Sequence, residues 1–315
     1  MAMQGSEAMK SEAMKSEAIK VVIVTYNSAD QIAECLDALP ISSERYLFDI
    51  TVVDNGSTDK TVQKLHNFYP SVHVIESTNL GYAHGNNLGV QEALESGEEY
   101  KAILILNPDA TLPARSIDSL ADALFSSQEI GGVSPHIVEQ ADKESHKRKT
   151  LFGLPMNDKP LPGRAGVVSD RLHGFCMLLR PEVLREIGFM DEQYFLYWEE
   201  LDYGLRAIAA GFKLLLCYDV FVYHRCDSQE RQHRIYYMWR NQFRFAKKNY
   251  TPFLRLIFLA RRVLTSLKEL VIFVKIKRFD LVGAAMAGLA AGLRGETGKS
   301  SNRYAAPSNP GRADN

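Results

Sequence analysis

The chain has 315 residues, 46% of them hydrophobic and 24% charged, as expected of a globular protein with a real core: one large domain, or one domain plus an appendage. A net charge of −1 excludes a polyanion binder by bulk charge, so nucleic acid is not an expected partner. The four cysteines, Cys35, Cys176, Cys217 and Cys226, form no CxxC pair, which argues against a disulfide scaffold and for a reducing compartment.

Residues 1–18 hold a tandem repeat, SEAMK SEAMK SEAIK in outline, with a period of five. Five residues advance a helix by about 500°, so Met9, Met14 and Ile19 spread around the cylinder instead of forming one stripe. The segment is expected to be a disordered, solvated tail. It lacks the apolar run of a cleavable signal, and a cytoplasmic location follows as the expectation.

Regular alternation begins at residue 19. Residues 19–25 are a compact β-branched run and read as a strand. Ser28 followed by Gln31 reads as a capping box for a helix to about Leu39. A second strand is expected over 49–53, then a helix capped by Ser57 or Thr58 and ending near Pro70. A third strand falls at 72–75, a helix around 86–96, and a fourth strand at 102–106, which has no polar residue. Strands alternating with helices imply βαβ units and a largely parallel sheet buried on both faces. Residues 138–170, rich in Lys, Asp, Gly and Pro, read as a long loop before regular structure resumes at 173–180.

Beyond Pro252 the character changes. Between Phe253 and Arg278 seven basic residues stand against one acid, Glu269, and the charges recur about every seven residues beside a broad apolar face. No uncharged run there is long enough to span a bilayer. A basic amphipathic helix suits an anionic membrane surface; the alternative is a helix packed on the protein's own core. The run 281–293 is uncharged and rich in Ala and Gly.

In open parallel sheets ligands bind beyond the carboxyl ends of the strands. Three such ends carry polar motifs: Thr25-Tyr26-Asn27, Asp54-Asn55-Gly56-Ser57 and Asn107-Pro108-Asp109. Asp54 read alone either caps the next helix or serves a site; two acids on converging strands favour the site. Asp54 can accept from the N3–H of a pyrimidine. Asp109 can ligate a hard cation, Mg²⁺ or Mn²⁺, that bridges a nucleotide diphosphate. A P-loop and a GxGxxG fingerprint are both missing, which disfavours an ATPase or a dehydrogenase. In NLGYAHGNNLG, Gly81 and Gly85 allow close backbone approach, Gly89 suits helix-on-sheet packing, and Asn79, Asn86 and Asn87 either contact ligand or order the loop.

Farther on, Glu199, Asp202 and Arg206 share one face of a helix by i+3 and i+4 spacing, and Asp202–Arg206 reads as an ion pair. Glu200 points elsewhere; beside Tyr197 and Trp198 its pKa is expected to rise into the range of a general base. His224 is open to two readings, a core histidine or a metal ligand. Cys217, His224, Cys226 and His233 match no usual zinc spacing.

Together VVIVTYNS, VVDNGSTD, NLGYAHGNNLG, LILNPDA, HGFCMLLRPEVLREIGFMDEQYFLYWEELD and YYMWRNQFRF, in order over residues 20–250, resemble the family 2 inverting glycosyltransferases, especially their rhamnosyltransferase-like branch. The resemblance implies an α/β fold of the GT-A kind: a Rossmann-like, mostly parallel sheet flanked by helices over 19–250, with a basic helical appendage and flexible terminus over 251–315. It implies displacement at an anomeric carbon with inversion, from a dTDP- or UDP-linked sugar to a glycan or lipid-linked hydroxyl, at the cytosolic face of a membrane. Thr25, Tyr26, Asn27, Asp54, Asn79, Gly81, Gly85, Asn86, Asn87 and Asn107 then line the donor. Asp109 takes the place of the last acid of a DxD metal motif, with His224 completing the metal site. Glu200 stands where the family places its base, usually an Asp, with Glu199 and Asp202 as alternatives. Asn107 replaces the first acid of DxD. A sugar nucleotidyltransferase would share the sheet and metal but normally needs a Gly-rich triphosphate loop, and residues 22–28 lack one. A non-catalytic nucleotide-sugar binder would keep Asp54 and Asp109 without a base.

Overall fold

The computed structural model describes residues 17–43, 45–112, 115–139, 159–160, 166–224 and 232–305. Residues 1–16 of the repeat tail, most of the long loop, Cys226 and residues 306–315 lie outside them, while Glu17 and Ala18, expected in the disordered tail, open the first strand because they pair with Tyr46 and Leu47. Four parallel strands form the heart of the sheet: β1 (Glu17–Thr25), β2 (Tyr46–Asp54), β3 (His73–Glu76) and β4 (Tyr100–Leu106), in the order β3-β2-β1-β4. Their crossovers carry α1 (Gln31–Ala38), α2 (Thr61–Phe68) and α3 (Tyr82–Glu95). After β4 come β5 (Ala110–Thr111), α4 (Ser116–Phe125), β6 (Ile130–Glu139), β7 (Lys159–Pro160), β8 (Gly166–Ser169) and β9 (Cys176–Leu179). Then follow α5 (Pro181–Ile187), one 3₁₀ turn (Glu192–Tyr194), α6 (Glu199–Ala209) and β10 (Lys213–His224). The last three helices are α7 (Gln232–Asn249), α8 (Pro252–Lys275) and α9 (Phe279–Leu293). β9 enters antiparallel between β4 and β6, β10 lies parallel to β6, and β8 and β7 extend that edge antiparallel.

Two apolar layers cover the sheet. On one face Ile19, Val21 and Ile23 of β1 pack with Ile32 and Leu36 of α1, Leu65 of α2 and Leu120 and Leu124 of α4. On the other, Val22 packs with Ala83, Val90 and Ala93 of α3, Leu184 of α5 and Ala207 of α6. The second layer shows how strand and helix periods interlock. Lys20, Val22 and Val24 alternate onto one face of β1. On α3, Glu92, Gly89 and Gly85 fall on one helical stripe and meet them in turn. Lys20 Nζ lies 2.8 Å from Glu92 and 2.8 Å from Asp49, so the fully buried ammonium is doubly paired. A methyl on Gly89 would collide with Val22, and one on Gly85 would stand 2.8 Å from Val24.

Helix starts differ from the expected caps. α1 begins at Gln31 with no side-chain cap. Ser28 gives its carbonyl to the amides of Gln31 and Ile32 while its own amide donates to Thr61 Oγ1, so the capping box does not form. Nor do Ser57 and Thr58 cap α2. Ser57 turns back to Asp54 and Thr58 to Asn27, and Asp59 accepts from Thr61 instead. Inside the expected long loop, β6 runs on to Glu139, and β7 and β8 pair with each other.

α7 packs against α9, and small residues set the distance. Gly288 faces the Tyr236 carbonyl of α7, and Gly292 faces the Arg240 carbonyl at 2.7 Å from where a Cβ would sit. The Ala/Gly-rich run read from the sequence is thus a close helix–helix seam. Residues 296–305 are seated on α7: Arg240 donates 2.7 Å to the Gly298 carbonyl, the Ser300 amide donates 3.1 Å to the Tyr237 hydroxyl, and Ala305 is buried.

Candidate active site

The β1–β2 register places Thr25 beside Asp54. Thr25 Oγ1 donates to Asp54 Oδ1 at 2.9 Å, and the Ser57 amide to Oδ2 at 2.8 Å, with the Ser57 hydroxyl on Oδ1. Asp54 therefore closes a turn within its own loop and caps no helix. It is buried, and these bonds use three of a carboxylate's roughly four lone-pair positions. Asn27 is left-handed at φ 52°, and its Oδ1 accepts from the Thr58 amide at 2.8 Å, tying the two strand ends together. Tyr26 between them remains 37% exposed. Asn79 lies across from Gly56 at the same edge.

Gly81 is left-handed at φ 110° and leaves no room for a side chain, because Phe195 Cα would stand 2.8 Å from its Cβ. Gly85 is filled from behind by Val24 and Asn55. Both glycines face protein. Asn87 is spent on the Met190 carbonyl at 2.8 Å and Glu192 at 2.9 Å. Asn86 donates to the Tyr82 carbonyl, and its Oδ1 is buried without a hydrogen-bond partner.

The second part of the site forms where β4 ends. The Asn107 amide donates to the Phe175 carbonyl at 2.9 Å. β5 then pairs with the end of β10, setting His224 opposite Ala110. That pairing brings His224 Nε2 to 3.2 Å from Asp109 Oδ1. The imidazole stacks on Phe175, with centroids 4.4 Å apart, and Phe175 stacks on His173 at 5.5 Å. The side-chain oxygens Asn107 Oδ1 and Asp109 Oδ1 are buried and accept no hydrogen bond. Cys35 beneath them is pushed up to about 12 by burial and by Asp109, and stays a thiol. One carboxylate, one amide oxygen and one imidazole suit Mg²⁺ or Mn²⁺. Among the described residues no group of three His, Cys, Asp or Glu side chains gathers, so water and substrate oxygens would supply the other ligands. The zinc reading finds no support: Cys217 is buried in the apolar layer under α4, and Cys226 lies outside the described residues.

The third part is a strained turn. Phe195, Tyr197 and Trp198 are all left-handed, at φ 67°, 65° and 82°. Each such bulky residue stores on the order of 1–3 kcal/mol. The helix that carries Glu199, Asp202 and Arg206 therefore begins only at Glu199. α7 holds the turn: Asn241 Nδ2 donates to the carbonyls of Tyr194 (2.8 Å), Leu196 (2.8 Å) and Tyr197 (3.1 Å). Arg240 adds a bond to the Tyr194 carbonyl at 2.9 Å, and Trp198 Nε1 donates to the Met238 carbonyl.

Two acids emerge from this turn. Glu199 is buried, its Oε2 has no partner, and its pKa is driven well up, first by burial and then by the charge of Glu200. Glu200 is half-buried and abuts Gly174; its pKa is also raised by burial, opposed by backbone hydrogen bonds and by Arg171. Asp202 is enclosed. It accepts from Arg206 (3.0 Å), Lys248 (2.8 Å), Asn249 (3.0 Å) and Tyr194 (3.3 Å) and has no exposed surface, so it serves as an ion-pair hub with no oxygen free for an acceptor.

Tyr82 joins the parts. Its hydroxyl donates 2.6 Å to the Gly174 carbonyl, and its pKa is raised by burial and then by Glu199, Glu200 and Asp109. Gly174 thus meets both Tyr82 and Glu200, and Phe175 beside it stacks on the His224 that faces Asp109. Sequence reasoning assigned no role to Tyr82, Gly174, Phe175, Arg240 or Asn241. Tyr82 opens a Gly-rich segment, and the run YYMWRNQFRF is unusually rich in aromatics and Arg, but only contacts reveal what each does.

Comparison with known proteins is consistent with this arrangement. The model of the family described as "Glycosyl transferase family 2" matches residues 20–188, more than half of the chain. A low-salt glycan biosynthesis hexosyltransferase of Haloferax volcanii is 25% identical over 302 residues, covering 89% of this chain and 92% of that one. An N-acetylglucosaminyl-diphospho-decaprenol L-rhamnosyltransferase of Mycobacterium tuberculosis is 29% identical over 217 residues, covering 61% of this chain and 70% of that one. Among solved structures, a mannosyltransferase of Pyrobaculum calidifontis in complex with GDP-Man and Mn²⁺ shares the fold, with a TM-score of 0.53 at 18% identity over 88% of this chain and 75% of that one.

Proposed function

The chain belongs to glycosyl transferase family 2, and from that membership we propose that it transfers a hexosyl or rhamnosyl group, with inversion, from a nucleotide-diphosphate donor to a lipid-linked or glycan hydroxyl. The carrying observation is that Glu200 abuts Gly174 while the next residue, Phe175, stacks on His224, which stands 3.2 Å from Asp109 beyond the end of β4.

In this reading the donor base lies over Tyr26 and reaches Asp54, whose remaining lone pair suits the N3–H of uracil or thymine. Guanine also offers an N–H to Asp54, and the mannosyltransferase with GDP-Man shares the fold, so GDP stands beside dTDP and UDP as a donor nucleotide to be tested. Asn79, Asn86 and Asn107 flank the sugar diphosphate. Asp109, His224 and Asn107 would hold Mg²⁺ or Mn²⁺, which supplies charge neutralisation for a leaving diphosphate. Glu200 takes the proton of the acceptor hydroxyl. The acceptor oxygen bonds to the anomeric carbon as the bond to the diphosphate oxygen breaks, and the nucleoside diphosphate departs with that electron pair. Glu199, buried with an unpartnered Oε2 and its pKa driven well up by burial, keeps its proton beside the base. A sugar nucleotidyltransferase is not favoured, and a binder without catalysis gives no reason for a strained turn under one buried and one half-buried acid.

The relative that acts on a diphospho-decaprenol-linked sugar supports a lipid-diphosphate acceptor, and with it a peripheral position at the cytosolic face of a membrane. The test is a thermal-shift panel of UDP, dTDP and GDP with and without Mn²⁺. One of them at 100-fold its dissociation constant should stabilise the fold by about 2.7 kcal/mol. Glu200→Gln should keep that shift and lose transfer. No shift with any diphosphate would sink the proposal.

A further inference from the structure

α8 is amphipathic the wrong way round for a helix that serves only its own core. The residues it turns inward are Phe258, Arg262, Ser266 and Phe273. Arg262 is 3% exposed, with its Nε donating 2.9 Å to Gln242 Oε1 of α7. Outward stand Phe253 (71% exposed), Leu256 (68%), Val263 (55%), Leu264 (63%), Leu267 (54%) and Val271 (52%). By the 3.6-residue repeat these six share one face. Arg261, Lys268 and Lys275, seven residues apart and all exposed, run as a stripe along one edge of that face. The only acid of the helix, Glu269, is turned to Trp239 Nε1 at 3.0 Å. A monomer rarely exposes so continuous an apolar surface without a partner.

We infer that this face of α8 lies in the plane of an anionic bilayer, with its apolar side chains among the acyl chains and Arg261, Lys268 and Lys275 on the headgroups. Three observations select a lipid surface as the occupant. The helix has 24 residues, about 36 Å, yet no helix of the described residues is long and apolar enough to cross a membrane, so α8 lies along a surface. The outer face carries basic groups and no acid, which complements anionic lipid. In a twofold antiparallel pairing of two copies through this face, the basic stripe would meet itself.

The position of the face adds a consequence. Phe258, on the inner side of α8, packs edge-on to Trp198 with centroids 6.0 Å apart, and Trp198 immediately precedes Glu199. The inner side of α8 is thus packed on the residue that leads into the two acids. A diphosphate-linked acceptor held in the bilayer would arrive beside the base without leaving the membrane. This rests on the lipid-linked acceptor proposed above and adds to it the surface and its orientation.

The test is flotation of the full-length protein with vesicles of phosphatidylcholine alone or mixed with phosphatidylglycerol. The wild type should float with the anionic vesicles. Leu256→Glu/Leu264→Glu should lower the bound fraction at least 10-fold. Arg261→Glu/Lys268→Glu/Lys275→Glu should abolish the preference for anionic lipid. Ile41→Glu, at a site 84% exposed elsewhere on the molecule, should change nothing. Nucleotide-diphosphate thermal shifts on every variant report folding and the donor site separately. Flotation lost in the wild type, or kept by Leu256→Glu/Leu264→Glu with normal thermal shifts, overturns the surface and leaves the donor site standing. A dimer in sedimentation that Leu256→Glu/Leu264→Glu dissociates, without flotation, also overturns it in favour of a second copy. Normal flotation with no nucleotide shift removes the donor reading alone.

Discussion

His224 Nε2 stands 3.2 Å from Asp109 Oδ1 because a two-residue strand, β5, pairs His224 with Ala110 next to that acid. The contact joins the end of the parallel half of the sheet to the end of its mixed half. If the pair holds a divalent cation, His224→Ala and Asp109→Asn should each weaken Mn²⁺-dependent binding of a nucleoside diphosphate by at least about 10-fold, since even indirect supports of metal ligands are worth that much. Calorimetric titration with and without Mn²⁺ reads this. Unchanged Mn²⁺ dependence in both variants would remove them as ligands.

The two acids of α6 should separate in function. Glu200→Gln should lower kcat by about 10²–10⁴, the usual worth of a general base, while Glu199→Gln, which imitates a glutamate that stays protonated, should remain within about 10-fold of wild type. Because burial raises the Glu200 pKa, the rate should climb with pH through a value above the ordinary 4.5 of a glutamate. A pH–rate profile on both variants checks the assignment. The reverse ranking would transfer the role to Glu199.

Glu199 should also leave a mark on stability. Its pKa is raised in the folded state, so between its ordinary 4.5 and the raised value the folded chain binds more protons than the unfolded one. Stability is then greatest below that window and falls as pH rises through it. Glu199→Gln removes the dependence, so its Tm advantage over wild type should widen between pH 5 and pH 8. A constant difference across that range would contradict the buried, unpaired carboxyl.

Asn241→Ala removes three hydrogen bonds to the carbonyls of the strained turn. Arg240 still serves the Tyr194 carbonyl, but those of Leu196 and Tyr197 lose their donor at about 1–3 kcal/mol each, so a loss of roughly 2–5 kcal/mol in urea unfolding is expected. Under folded conditions kcat should fall while nucleotide-diphosphate affinity holds. A loss of affinity equal to the loss of kcat would show a general fold defect instead.

Gly89→Ala should cost about 1–3 kcal/mol, because its new methyl meets the side chain of Val22 on β1. Pairing it with Val22→Ala should recover part of the loss. Simple additivity in the double-mutant cycle would mean that helix and strand do not touch there.

Much of the parallel half was readable from the chain. Local rules act on neighbours: β-branched runs make strands, 3.6-residue spacing makes helix faces, and an apolar strand that stops at Thr25, Asp54 or Asn107 announces an open end. Those rules placed all four parallel strands to within a few residues. They misplaced the caps of α1 and α2, because Ser28 and Ser57 found partners more than one element away or in a tighter turn. They gave no sign of the turn from Phe195 to Trp198, where Asn241 of α7 holds left-handed backbone.

What the sequence determined by itself was the α/β alternation and the kinds of chemistry at the strand ends, since both depend on residues a few positions apart. Which of those residues form a site was decided by tertiary structure. Spacing alone cannot say that Asp202 is spent on Lys248 and Arg206 while Glu200 remains half-buried beside Gly174, or that α8 buries Arg262 and shows Leu264 to the outside. Burial and partner choice are properties of the packed chain, and desolvation, which sets the character of both acids, exists only once that packing has excluded water.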